Sequence, residues 1–250
     1  MPCPYLLLDQ TESTNAFLLE KPESERVGLV VYTHKQTAGK GMGTNTWESA
    51  PGLNLTFSMG VDMAFMKAAD QFLLSMAVPL GMIDVLDAFV EKSSCSADLL
   101  MVKWPNDIIF GGRKLAGILI NSTIHGQMMG VSVIGIGLNV NQMQFQDWPT
   151  HPISLKMVLG HEVELEPLLR RLVDAVDCRV QLLRSVEGVA LVKKAYLDRL
   201  YRYRTWADYE VAGQKVRRFI TGIDAFGRLE TIDETGERFV YDIKEIRFLG

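Results

Sequence analysis

Leu99-Leu-Met-Val-Lys103-Trp-Pro-Asn-Asp107-Ile-Ile-Phe110-Gly-Gly-Arg-Lys114-Leu-Ala-Gly-Ile-Leu-Ile-Asn121 begins a run that continues through His125-Gly126 to Val140. Residues 99–104, 115–121 and 131–140 are apolar and rich in β-branched side chains, and Gly111-Gly112 and His125-Gly126 supply turn chemistry between them. Links this short favour antiparallel pairing, because a parallel crossover needs a dozen or more residues. The run therefore predicts an α+β fold with a mixed or antiparallel sheet, and excludes a doubly wound dinucleotide fold.

Working outward, residues 5–8 and 27–33 read as further strands, and residues 54–59 alternate polar and apolar side chains as a half-covered strand does. Ser13, Thr14 or Asn15 before Ala16-Phe17-Leu18-Leu19 forms a helix N-cap signal. Residues 71–90 carry apolar side chains at helical spacing, with a kink or restart expected at Pro79. Residues 166–204 repeat that spacing, with Arg and Lys on the opposite, solvated face. Beyond Trp206, short alternating segments cut by glycines predict a small β-barrel or sandwich. The resulting boundary separates 1–203 from 204–250.

The chain has 250 residues, 48% hydrophobic and 22% charged, which suits one large globular domain with a small appendage. Its 26 Lys+Arg against 30 Asp+Glu argue against broad capture of DNA or an anionic membrane. Cys3, Cys95 and Cys178 are odd in number and form no C-x-x-C pair, so neither a disulfide framework nor a zinc site is expected. With no basic leader and no apolar run approaching 18 residues, the expected compartment is the cytoplasm, without a membrane span.

Three segments can carry chemistry. Gly39, Gly41 and Gly43 alternate with Lys40 and Met42 in a loop ending at Trp47; taken alone it reads either as a flexible connector or as an anion cradle, and it has neither the Walker spacing nor the dinucleotide fingerprint. Residues 103–108 bring a cation, an aromatic surface and a carboxylate out together at a strand end. If the strands on either side of Gly111-Gly112 pair, Lys114 returns to the end that carries Asp107. Gly135 and Gly137 inside an apolar strand mark a bulge or a close approach of backbone or ligand, and Asn139 and Asn141 follow two apart.

Glu12-Ser13-Thr14-Asn15, the 39–47 loop, Lys103-Trp-Pro-Asn-Asp-Ile108 with Arg113-Lys-Leu-Ala-Gly-Ile118, and Gly135 to Asn141, in this order, resemble the catalytic domain of biotin–protein ligases, also called biotin–[acetyl-CoA-carboxylase] ligases. The resemblance spans about residues 5–145, and the terminal β-domain fits the family too. It implies a class II synthetase-like catalytic domain with an SH3-like C-terminal barrel. It also implies ATP-dependent activation of biotin to biotinyl-5′-adenylate, with Mg²⁺, and transfer to a lysine of a biotin carboxyl carrier protein.

Carried over by position, Ser13, Thr14, Asn15 and Gln36 match biotin-binding residues, and Gly39, Lys40, Gly41 and Met42 match the loop that folds over biotin and the adenylate. Trp47 matches an aromatic near the adenine. Lys114 matches the lysine between the biotin carboxylate and the phosphate. Asn106 and Asp107 match polar residues around the phosphates and a metal, and Asn139 matches a residue near the nucleotide. Lys114, Lys40 and Asp107 are thus the expected catalytic groups.

The chain departs from the family pattern at Lys40, where an arginine is usual, and at uncharged Met42 and Thr44, which implies a weaker phosphate grip. It starts directly at the catalytic domain, so no operator-binding role is expected. A monomer and a homodimer both fit. A lipoate–protein ligase and a non-catalytic biotin-binding module are the rival readings.

Overall fold

Along the central strands, side chains alternate between two faces, and the two faces have opposite chemistry. In the computed structural model, which describes residues 4–91, 99–146 and 151–249, β3 (Leu55–Asp62), β6 (Arg113–His125) and β7 (Met128–Leu138) lie side by side. Leu55, Phe57 and Met59, Ile118, and Ile134, Ile136 and Leu138 all join one large apolar core. Their neighbours in sequence, Thr56, Ser58, Gly117, Gly135 and Gly137, belong to the alternate set. One face of the sheet is packed with bulk and the other is stripped of it.

The whole sheet runs β1-β2-β3-β7-β6-β5-β4, where β1 is Tyr5–Thr11, β2 Val30–Gln36, β4 Leu100–Lys103 and β5 Asp107–Phe110. Among the described residues, β1 and β2 are the only neighbouring strands of this sheet that pair in parallel, and α1 (Thr14–Glu20) and α2 (Glu23–Arg26) supply the crossover between them. The mixed α+β fold expected from the sequence is present. The packed face is covered by α3 (Phe72–Val90), α5 (Leu165–Leu182) and α6 (Val186–Asp198), preceded by the short α4 (Leu155–Leu159). On the opposite face Leu18 of α1 meets Val31 and Val133 in a second, small core.

Several expectations need correction. The alternation at 54–59 does not mark a half-exposed strand: β3 is buried from Leu55 to Val61, because α1 and the loop after β2 cover its polar side. Helix α3 is one element through Pro79, with no restart. By length and composition it could cross a membrane, which the reading of apolar runs overlooked, but it is a core helix with most of its side chains buried. The 166–204 run breaks into α5 and α6 where Ser185 caps a new helix by accepting from Gly188 N. The sequence reading also missed β5 and α4. Cys3 and Cys95 lie outside the described residues; Cys178 is exposed and free.

A second, antiparallel sheet contains β8 (Trp206–Val211), β9 (Gln214–Ile223), β10 (Leu229–Ile232), β11 (Arg238–Tyr241) and β12 (Ile246–Phe248), in the order β11-β10-β9-β8-β12. It is tied to the first sheet at the 103–108 segment, where the buried Trp104 Nε1 donates to Gly227 O at 2.9 Å.

Candidate active site

The stripped face becomes a cavity where α1 begins above it. Ser13 caps α1, its Oγ accepting from Ala16 N at 3.4 Å. Gln36 at the end of β2 accepts through Oε1 from Thr14 N (2.8 Å) and from Thr14 Oγ1 (3.3 Å), and the Thr14 hydroxyl lies 2.9 Å from Ser58 Oγ. A helix start and two strands thus converge on a buried polar corner. Ser58 was not foreseen as a site residue, although its place in the polar alternation of β3 was the available signal. Asn15 is 6% exposed, and its Nδ2 donor has no partner. A buried donor without an acceptor costs roughly 1–3 kcal/mol, and this one borders Gly135 in the cavity wall.

The glycines of the floor are needed for space. A Cβ on Gly137 would lie 2.2 Å from Trp47 Cε2, and one on Gly117 3.1 Å from Trp47 Cζ3. The indole rests directly on these two residues, which pair across β6 and β7, and its Nε1 is likewise buried without a partner. Trp47 is delivered by the 39–47 segment, which is a tight hairpin and not a loose connector. Gly41 N donates to Asn45 O (2.8 Å), Trp47 N donates to Gly39 O (2.9 Å), and Lys40 bridges Thr46. Those two amides are committed within the hairpin and are not free to cradle an anion.

At the other end of the floor, Lys114 Nζ and Asp107 Oδ1 form an ion pair at 2.7 Å, both side chains mostly buried. The hairpin return expected from Gly111-Gly112 is present, and a bulge perfects it. Ile108 pairs with Ala116 but Ile109 with Lys114, so one extra residue on β6 turns Lys114 to the face of Gly117, three positions on. The Lys114 ammonium lies 5.7 Å from the Trp47 ring centroid.

Asn106 lines the smaller cavity and Asn139 the larger, and each also holds local backbone. Asn106 Nδ2 donates to Ile118 O at 2.7 Å; Asn139 Nδ2 donates to Ile153 O (3.1 Å) and Lys114 O (3.4 Å). Their amides fasten the backbone around Lys114. Lys103, opposite Asp107 in the β4–β5 pair, has its pKa lowered first by desolvation and further by Lys114 and Arg202, against the pull of Asp107.

Two adjoining cavities result. The smaller, about 100 Å³, is enclosed by the polar corner, the glycine floor, Lys40, Met42 and Asp107; the larger, about 840 Å³, runs past Gly39, Thr44 and Asn139. Gln36, Trp47 and Lys114 border both. The smaller is below the 300–1,000 Å³ usual for ligand pockets, because the indole fills the floor. The arrangement offers a polar-ended slot for one molecule, a roomier cleft for a second, and a cation at their junction. Among the described residues no group of three His, Cys, Asp or Glu side chains could hold a metal ion. Asp107, expected as a metal ligand, is a lone carboxylate engaged by Lys114.

Comparison with known proteins agrees with this geometry. The profile described as Biotin/lipoate A/B protein ligase family matches residues 7–139. A biotin–[acetyl-CoA-carboxylase] ligase of Paracoccus denitrificans is 29% identical over 238 residues, covering 92% of this chain and 91% of that protein. Biotin–protein ligase 2 of Arabidopsis thaliana is 36% identical over 119 residues, 47% of this chain and 35% of its own length. Among solved structures, the biotin protein ligase of Aquifex aeolicus in complex with biotin and ATP superposes with a TM-score of 0.78 at 19% identity, covering 98% of both chains. That likeness shows a shared fold.

Proposed function

The chain belongs to the biotin/lipoate A/B protein ligase family, and on that premise we propose that it is a biotin–[acetyl-CoA-carboxylase] ligase acting in two steps at one site. A carboxylate oxygen of biotin attacks the α-phosphorus of ATP, displacing pyrophosphate and leaving biotinyl-5′-adenylate. The ε-amine of a carrier-protein lysine then attacks the acyl carbon, and AMP leaves. Residues 1–203 carry the site in this reading, and 204–250 form the second unit.

The observation that carries the proposal is the position of Lys114 at the wall common to both cavities. The first step brings two anions together, and a fixed ammonium between them offsets their repulsion and the charge that develops on the phosphoryl oxygens. Asp107 holds that ammonium in place beforehand. As Lys114 turns to the phosphate, Asp107 becomes the nearest carboxylate able to orient the incoming amine. Mg²⁺ enters as the counter-ion of the ATP substrate, since Asp107 alone does not make a resident site. Lys40 adds positive charge from the hairpin.

The polar corner favours biotin over lipoate. A ureido group offers an acceptor to the buried Asn15 Nδ2, which has no partner among the described residues, and donors to the corner that Thr14, Gln36 and Ser58 form, whereas a dithiolane ring would leave Asn15 Nδ2 unmatched. The roomier second cleft beside that cation favours an enzyme over a module that binds the vitamin alone.

The test incubates the protein with MgATP, a purified biotin carboxyl carrier domain and either biotin or lipoate, and weighs the carrier by mass spectrometry. One biotinyl group added, with pyrophosphate released, is the expected result. Lipoyl addition in preference to biotinyl, or biotin binding without any change in carrier mass, would overturn the assignment.

A further inference from the structure

A third cavity, of about 200 Å³, shares no lining residue with the two cavities of the site. Its apolar walls come from Phe72, Leu73 and Met76 of α3, Leu197 of α6 and Ile223 at the end of β9, and the exposed Asp70 and Lys193 border it. Neither of these charged side chains has a partner among the described residues. The turn that follows β9 sets a knob beside this hole. Asp224 Oδ1 accepts from Phe226 N and Arg228 N, each at 2.9 Å, and its Oδ2 accepts from Arg228 Nε at 2.8 Å. Gly227 packs directly on Phe72, where a Cβ would lie 2.2 Å from Phe72 Cδ2, and its carbonyl accepts from Trp104 Nε1. With both flanks fixed in this way, the Phe226 ring is 70% exposed, one residue beyond Ala225 of the cavity wall.

We propose that a second copy of this chain occupies the cavity, in a two-fold pair in which Phe226 of each protomer fills the hole of the other. A volume of about 200 Å³ is below the 300–1,000 Å³ usual for small-molecule pockets and suits one aromatic side chain. In a two-fold contact every interaction occurs twice with the roles exchanged, so a surface that carries knob and hole side by side is complementary to itself. The bordering charges follow the same rule. Lys193 faces the partner's Asp70 and Asp70 faces the partner's Lys193, so two groups without a partner inside one chain form two ion pairs between chains. The Asp224 bonds fix the knob before association, which lowers the cost of ordering it.

The test follows the mass of the full chain by analytical ultracentrifugation from about 1 to about 300 μM, the range in which a contact of modest area dissociates. Wild type is expected to rise from its monomer mass of 28.0 kDa towards twice that value. Phe226→Ala should weaken self-association about a hundredfold, because the ring is lost from both halves of the contact at once. Lys193→Glu and Asp70→Lys, each alone, set like charges against each other twice and should weaken it at least tenfold. Mixed in equal amounts, those two variants restore an opposite-charge pair at both positions and should associate within about threefold of wild type. Circular dichroism matching wild type shows that each variant is folded. Wild type that stays monomeric throughout, Phe226→Ala that pairs as tightly as wild type, or charge-reversed variants that pair no better mixed than alone would each overturn the proposal.

Discussion

Replacing Gly137 by alanine tests whether the glycine floor is functional space. Gly137 lies inside β7, laddered to Thr56 of β3 on one side and to Gly117 of β6 on the other, so the backbone has little room to retreat. The new methyl would stand 2.2 Å from Trp47 Cε2 and 2.6 Å from Cζ2 and Nε1. Carbon atoms rest about 3.5–4.0 Å apart, so the indole must lift by roughly 1.5 Å, drawing the hairpin with it through the Trp47 N to Gly39 O bond. Overpacking costs about 1–3 kcal/mol. A surface hairpin can yield, which puts the stability loss near the low end and lowers the melting temperature by about 2–4 °C for a chain of this size. The reaction is less tolerant, since a misplacement of about 1 Å can cost roughly 100-fold. Thermal melting and biotin-dependent pyrophosphate exchange, measured together, should show a folded protein with kcat/KM reduced at least tenfold. A Gly137→Ala protein with kcat/KM within twofold of wild type would refute the claim that ligands and Trp47 need that floor clear.

Two further outcomes concern the scaffold. Tyr196 is fully buried with no partner for its hydroxyl, and burial raises its pKa well above the usual phenol value; Tyr196→Phe should melt no lower than wild type and up to about 4 °C higher, and a clear drop would mean that the hydroxyl has an undetected partner. Glu23 accepts from Thr123 Oγ1 and Val131 N, which hold its pKa at about 2, well below the usual carboxylate range. A carboxylate with a depressed folded pKa stabilises above its unfolded pKa and loses that contribution as pH falls through the folded one. Wild type should therefore lose more melting temperature than Glu23→Gln between pH 4.5 and pH 2, and parallel losses would discount the contribution of Glu23.

Much of this was legible in the sequence because it depends on local chemistry. Gly111-Gly112 dictates a turn, a turn dictates antiparallel return, and the return brings Lys114 to Asp107. Ser13 reads as a cap because small oxygen-bearing side chains satisfy free helix amides. The rest depends on what covers what. Alternation in β3 specifies two unlike faces, but only the tertiary fold reveals that the polar face lies beneath α1. The bulge that aims Lys114 is a register feature without a residue signature. Asn106 and Asn139 give no sign in sequence that their Nδ2 groups fasten backbone carbonyls, because that depends on the strand geometry.

The most direct measurement is biotin-dependent exchange of labelled pyrophosphate into ATP by wild type and Lys114→Ala, with circular dichroism verifying that both are folded. Loss of a charge-stabilising group of this kind costs about 10²–10³ in rate. Exchange by the wild type and a drop of that size in the variant are expected; a folded Lys114→Ala protein that exchanges within threefold of wild type would contradict the placement of Lys114 between carboxylate and phosphate.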